Sequence, residues 1–138
     1  MDVLILIGRI LFAALFVPAG VSHFMTADAM TGYAQSQGVP APRAAVLGSG
    51  ALMLLGGLSV LLGIWPDLGA LLLTVFLVPT TLLMHAFWKE TDPQAKQMQQ
   101  IHFSKNVALI GASLMLIGLF ATVGDELGLV IIGPAFAT

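Results

Sequence analysis

Cysteine is absent from this 138-residue chain, and charged residues make up only 9% of it. The missing thiols exclude disulfides, thiol redox chemistry and cysteine-ligated iron–sulfur clusters within the chain. The formal net charge is only -2 and no dense basic cluster occurs, so the composition gives no support to a nucleic-acid partner.

Apolar residues are what the chain has in excess. Hydrophobic residues make up 58% of the sequence, and the mean hydropathy is +0.99. Four apolar runs, at about residues 3–24, 44–64, 68–88 and 106–123, each approach the roughly 20 residues that cross a bilayer. The sequence therefore predicts an all-α integral membrane protein with one domain, residues 1–138, folded as a four-transmembrane-helix bundle in contact with the lipid bilayer.

The connections between the runs are unequal. Two long polar connections, Met25 to Arg43 and Lys89 to Lys105, share one membrane face, which we call side B. The termini and a tight hairpin at residues 65–67 share the other face, side A. Most Lys and Arg residues gather at side B, so the positive-inside rule predicts a multi-pass protein of the bacterial inner membrane with non-cytoplasmic termini.

We expect the first run to be retained, since it lacks the features of a cleaved signal peptide. The apolar ending at residues 128–138 is too short to span.

Arg9 is the one charged residue inside the first run. Its long stem could let the guanidinium reach the side A headgroups. The alternative is an intramembrane ion pair, because the topology brings three carboxylates to side A, those of Asp67, Asp125 and Glu126.

The first run also carries a helical stripe that should face the bundle: Arg9, Phe12, Phe16, Gly20 and His23. Pro18 and Pro79 each remove a backbone donor, so we expect bends that precede His23 and His85. Such bends could open a pocket towards side B, although proline is also common in plain membrane helices.

Polar and aromatic residues gather at the side B ends of the runs: His23, His85, Trp88, Lys105 and Asn106. Each alone would suit the lipid headgroups, but together they predict a polar-lined opening. Donors beside aromatic walls would suit a quinone headgroup. Haem b bound by His23 and His85 is less favoured because neither histidine lies deep in its run. A metal site at His23, His85 and His102 lacks the usual ligand spacing. We predict no catalytic residue, no metal and no intrinsic cofactor.

Small residues recur along the second and fourth runs. Ser49, Gly56 and Gly63 are spaced by seven, and Gly111 and Gly118 repeat that spacing in the fourth run. Small stripes let helix backbones approach closely in lipid, so we expect packing contacts. The pattern leaves open whether these lie within one chain or in a homo-oligomer.

Taken in order, the stretches "LIGRILFAALFVPAGVSHF", "GVPAP", "LGGLSVLLGIWP", "HAFW" and "KNVALIGASLMLIG" resemble the DoxX family of small four-helix membrane proteins. The motif residues carried over are Arg9, Gly20, His23, Gly38, Pro40, Gly56, Gly57, His85, Lys105 and Asn106. Many relatives have a glutamate where this chain has Met53, so a proton-coupled role built on that acid is in doubt here.

The resemblance implies an accessory membrane subunit of an oxidoreductase or oxidative-stress complex, as in thiosulfate:quinone oxidoreductase. The chain carries no flavin, nucleotide or metal motif, so we expect a protein partner to supply the redox chemistry. The alternatives are a structural or assembly protein with no small-molecule site and a carrier for a small lipophilic molecule.

Overall fold

The computed structural model of the chain describes residues 1–136, so the last two residues of the apolar ending lie outside the described range. Five α-helices follow one another: α1 (Asp2–Met25), α2 (Ala27–Ser36), α3 (Pro42–Leu62), α4 (Pro66–Met84) and α5 (Pro93–Val123). Short 3-10 turns cover Phe87–Lys89 and Gly124–Glu126. Over the described range there is no β-strand, and one isolated bridge joins Ile64 to Ile132.

The four predicted spans are confirmed as α1, α3, α4 and α5. Each is long and apolar enough to cross a membrane, the candidate spans being Asp2–Met25, Pro42–Leu62, Pro66–Lys89 and Pro93–Glu126. The protein is thus an all-α, multi-pass integral membrane protein. Its N-terminus, the hairpin before α4 and the segment after α5 lie together at side A: a Cβ atom on Gly128 would meet Asp2, and one on Gly63 would meet Val130.

The helix boundaries at side B differ from the prediction. α5 begins at Pro93, well before the predicted start at residue 106, because the Asp92 carboxylate accepts a hydrogen bond from the backbone N–H of Ala95 at 2.9 Å. This is an N-cap with proline at the first helical position. α4 ends at Met84 rather than at residue 88. The other long connection contains α2.

Glycines set the distances between the central helices. A Cβ atom on Gly20 would lie 3.0 Å from the Gly50 carbonyl oxygen, where α1 meets α3. A Cβ atom on Gly56 would lie 2.8 Å from the Gly69 carbonyl oxygen, where α3 meets α4. The small stripe of α3 therefore packs inside the chain. Gly111 and Gly118 of α5 face open space instead, so they do not serve packing within the chain.

The core lies between α1, α3 and α4. The predicted stripe of α1 faces it, with Arg9, Phe16 and Gly20 buried. Both α1 and α4 remain helical through Pro18 and Pro79. α1 packs on α3, α3 on α4 and α4 on α5, whereas among residues 1–136 α1 shares no extensive contact with α4 or α5. The backbones of α1 and the α4–α5 pair therefore leave a gap, which side chains such as Phe16 and Leu77 fill in part.

Candidate functional site

Arg9 caps the end of α3. Its guanidinium donates three hydrogen bonds, all to backbone carbonyls: Val60 at 2.8 Å, Leu61 at 2.7 Å and Leu129 at 2.7 Å. Carbonyls in the last turn of a helix lack helical partners and attract cations. The side chain is only 2% exposed, so it does not reach the headgroups as a snorkelling arginine would.

The predicted ion pair of Arg9 with Asp67, Asp125 or Glu126 is wrong. Within residues 1–136 the structure has one ion pair, between the exposed side chains of Arg43 and Asp28 at 2.7 Å. The physical reason is that the end of α3 offers Arg9 unpaired carbonyls at close range. Because every residue has a backbone carbonyl, the sequence does not indicate which carbonyls Arg9 contacts.

Asp67 serves the same end of the molecule. Its fully buried carboxylate accepts hydrogen bonds from the backbone N–H groups of Leu68 at 2.9 Å, Ala135 at 2.7 Å and Phe136. It thereby ties the C-terminal segment to the first turn of α4, where the helix dipole favours an anion. Asp125 and Glu126 are exposed in the 3-10 turn after α5. The buried polar residues of side A, Arg9 and Asp67, thus hold helix ends and the C-terminal segment together.

A cavity of about 650 Å³ opens towards side B, and we call it the side-B cavity. Its wall is mostly apolar and includes Leu15, Phe16, Phe76 and Leu109. Four residues predicted for this end line it: His23, His85, Lys105 and Asn106. The cavity occupies the gap between α1 and the α4–α5 pair, so α1, α3, α4 and α5 all contribute to its wall.

Trp88, the fifth predicted residue, does not line the cavity. Because α4 ends early, Trp88 falls in the following 3-10 turn and is 51% exposed. It makes edge-to-face contacts with Phe87 and Phe103, at ring-centroid distances of 5.3 and 5.8 Å. Trp88 belongs to an aromatic cluster with Phe87 and Phe103 at the side B end of the bundle.

His23 is held by α3 through one ring nitrogen. Its Nδ1 lies 3.0 Å from the Val46 carbonyl oxygen and 2.9 Å from the Ser49 hydroxyl, which itself donates to Val46 at 2.9 Å. A carbonyl oxygen can only accept, so the proton sits on Nδ1. The neutral ring then has an acceptor at Nε2. Nε2 has no hydrogen-bond partner among the described residues, and it is not among the fully buried polar atoms.

His85 belongs to a series of polar contacts at the side B end of the bundle. Its Nδ1 lies 2.9 Å from Oε1 of Gln99, whose Nε2 lies 3.5 Å from the Tyr33 hydroxyl of α2. The His85 ring stacks on His102 at 5.2 Å. These contacts connect α2 to α5 and to the end of α4. His23 stands apart on α1, and residues 1–136 contain no cluster of three or more His, Cys, Asp or Glu residues that could hold a metal ion.

Asn106 and Lys105 supply polar groups from α5. Asn106 is only 6% exposed, yet its amide makes no hydrogen bond in the part of the chain that the structure describes. Because its atoms are not fully enclosed either, the amide meets the cavity. Lys105 is exposed and likewise lines the cavity.

The sequence did not predict several of the residues that line the cavity. Met30 and Tyr33 come from α2, whose residues were assigned to a connection, and Ser49, Phe76 and Thr80 lie on the helices. Asp28 near the start of α2 is a weak helix signal. Met53 is buried in the core and lines the cavity, so an apolar side chain occupies this part of the wall.

Comparison with known proteins identifies a family. The family model described as DoxX matches residues 4–86, more than half of the chain. No curated protein and no solved structure gives a significant match. The matched range runs from α1 to just past His85, so it includes both cavity-lining histidines, whereas Lys105 and Asn106 lie beyond it.

Proposed function

The chain belongs to the DoxX family, and from this premise we propose that it is an accessory membrane subunit of an oxidoreductase or oxidative-stress complex that holds a quinone in the side-B cavity. The cavity volume of about 650 Å³ falls within the range of about 300–1,000 Å³ that is usual for small-molecule sites. Apolar walls with a few polar groups are also typical of such sites.

The observation that carries the proposal is the unpartnered amide of Asn106. A buried polar group without a hydrogen bond is costly, by about 1–3 kcal/mol, so a bound oxygen atom would be favoured there. A quinone ring carries two oxygen atoms at opposite ends. One could receive hydrogen bonds from Asn106 and Lys105, while the ring packs on apolar side chains such as Phe76.

The wall of the cavity also suits the tail of such a ligand. Leu15 and Val75 line the cavity, and both are exposed on the bundle surface that faces lipid. In this proposal the cavity opens to the bilayer between α1 and α4. A lipophilic chain attached to the ring could extend through this gap without leaving an apolar environment.

A partner protein supplies the redox chemistry in this proposal. The chain has no cysteine and no recognisable flavin or nucleotide motif. The outward-facing Gly111 and Gly118 of α5 would let another helix approach closely. The same observation supports the second candidate function, a structural or assembly protein whose cavity stays empty.

We further propose a bacterial inner-membrane location with side B in the cytoplasm. Arg9 is the only basic residue near side A, and its charge is taken up by buried carbonyls. The exposed basic residues all lie at side B: Arg43, Lys89, Lys96 and Lys105. Because the chain lacks cysteine, single cysteines at Gln97 and Glu126 can be labelled in intact cells with a membrane-impermeant maleimide. Labelling at Glu126 alone supports the orientation, and labelling at Gln97 alone contradicts it.

Quinone binding is tested on gently purified protein. Lipid extracts of the wild type should contain quinone by mass spectrometry, and Asn106→Leu should lose about tenfold or more of it because the amide contact is gone. Gln97→Leu is the matched control, since Gln97 is an exposed amide of the same helix outside the cavity. Wild-type protein without quinone that also fails to bind an added quinone analogue contradicts the proposal. If it still captures an oxidoreductase, the assembly role is favoured.

A further inference from the structure

The hydrogen-bonding state of His23 bears on which form of the ligand the cavity accepts. Two forms of a quinone ring differ in the groups at its ends: the oxidised form has carbonyl oxygens, which only accept hydrogen bonds, and the reduced form has hydroxyls, which both donate and accept. A site that offers an unpaired acceptor can distinguish the two.

His23 offers such an acceptor. The Val46 carbonyl, 3.0 Å from Nδ1, can only accept, so we assign the ring proton to that nitrogen; the Ser49 hydroxyl, 2.9 Å from Nδ1, then donates to Val46. The neutral ring therefore has its lone pair on Nε2. Nε2 is not among the fully buried polar atoms, and the ring of His23 lines the cavity. It is well placed to accept a hydrogen bond and unsuited to meet a carbonyl oxygen.

The α5 residues of the cavity wall accept either form of the ring. Asn106 can donate through its NH₂ group and accept through its oxygen, and Lys105 can donate. These two α5 residues do not discriminate between a carbonyl and a hydroxyl. Discrimination between the two forms therefore has to come from another lining residue, and His23 on α1 supplies an unpaired acceptor.

We infer that the side-B cavity binds the reduced, hydroxyl-bearing form of its ring ligand more tightly than the oxidised, carbonyl-bearing form. This inference rests on the proposed function, since it concerns the same ligand class in the same cavity. A quinol hydroxyl donates to Nε2 of His23, whereas a quinone carbonyl leaves that acceptor unpaired. One such hydrogen bond, together with the avoided unpaired acceptor, corresponds to an affinity ratio of about tenfold.

The test compares decylubiquinol and decylubiquinone binding to the full-length protein in nanodiscs, by anaerobic calorimetry at about pH 8, where imidazole is mostly neutral. We expect the wild type to bind the quinol about tenfold more tightly. We expect His23→Phe to bind both forms with similar affinity, because the acceptor is gone. Gln97→Leu is the control, since Gln97 is exposed at the same end of the bundle and does not line the cavity, so it should leave the ratio unchanged.

Equal or tighter binding of the quinone by the wild type overturns the inference but leaves the proposed function standing. A preference that persists in a folded His23→Phe variant also overturns it. If neither form binds, the inference and the proposed function both fail. The wild-type ratio decides by itself if the His23 variant does not fold.

Discussion

At side A, the buried guanidinium of Arg9 and the buried carboxylate of Asp67 each meet several backbone groups at hydrogen-bond distance. At side B, the buried amide of Asn106 has no partner among the described residues, and His23 uses only one ring nitrogen. Both ends lie in one chain and hold polar groups among apolar helices. They differ in whether the protein itself completes the hydrogen bonds.

This difference separates two reasons for keeping polar residues in a membrane protein. Groups whose hydrogen bonds are complete within the chain hold the fold together, and their loss leaves backbone groups unpaired. Groups left incomplete beside a cavity are available to a ligand. Substitutions at side A should therefore change stability, and substitutions at side B should change binding with little loss of stability.

Arg9→Leu should produce the largest effect. Removing the guanidinium leaves the carbonyls of Val60, Leu61 and Leu129 without these bonds, and we expect a loss of about 3–5 kcal/mol in the free energy of unfolding. Thermal unfolding in detergent measures it. Arg43→Leu is the control: its pair with Asp28 is exposed and should contribute less than about 1 kcal/mol. Equal melting temperatures for Arg9→Leu and the wild type would show that the cap does not hold side A together.

Asp67→Ala should produce the next largest effect. We expect a loss of about 2–3 kcal/mol because two backbone N–H groups of the C-terminal segment and that of Leu68 lose a charged acceptor. Hydrogen exchange should speed up at Ala135 and Phe136. Glu126→Ala, an exposed acid at the same face, should stay within about 0.5 kcal/mol of the wild type. Unchanged exchange at both amides in Asp67→Ala would argue against the tie.

Asn106→Leu should leave the stability of the protein unchanged or raise it, in contrast to the two side A substitutions. Because the amide has no partner in the described structure, a side chain of similar size without polar atoms should leave ligand-free protein as stable as the wild type or up to about 1 kcal/mol more stable. The unfolding midpoint of lipid-extracted protein measures this. A loss of more than about 2 kcal/mol would place Asn106 with the structural residues of side A instead.

Trp88→Ala should have the smallest effect on binding. Trp88 lies outside the cavity lining, so the affinity for a quinone analogue should change by less than about twofold. Calorimetry of the variant beside the wild type is sufficient. A tenfold loss would mean that the aromatic cluster with Phe87 and Phe103 contributes to the site.

The sequence was sufficient for the spans and the topology because bilayer thickness imposes a length on every apolar run. It also brought His23, His85, Lys105 and Asn106 to one end of the bundle, as found. The sequence was less informative for the polar segments outside the bilayer, because water can satisfy the backbone groups of either a helix or a loop there. The polar residues before Asn106 were assigned to a connection although Asp92 and Pro93 form a helix start that is visible in the sequence.

Partners that are backbone atoms cannot be located from the sequence. Arg9 was expected to seek carboxylates because only charged side chains stand out in a list of residues, whereas its partners are three carbonyls brought close by folding. The same limit applies to His23, whose ring is oriented by the Val46 carbonyl. Both cases depend on the close approach of α1 to α3, which the glycines of these helices permit.

The early start of α5 has a consequence for the outline of the protein. At 31 residues and about 1.5 Å per residue, α5 is roughly 46 Å long, about 16 Å longer than the hydrocarbon layer is thick. Because the apolar part of α5 occupies the bilayer, the first turns of the helix extend into water beside the aromatic cluster. The exposed polar side chains of these turns, among them Lys96 and Gln97, therefore form a surface at the same end of the bundle as the side-B cavity.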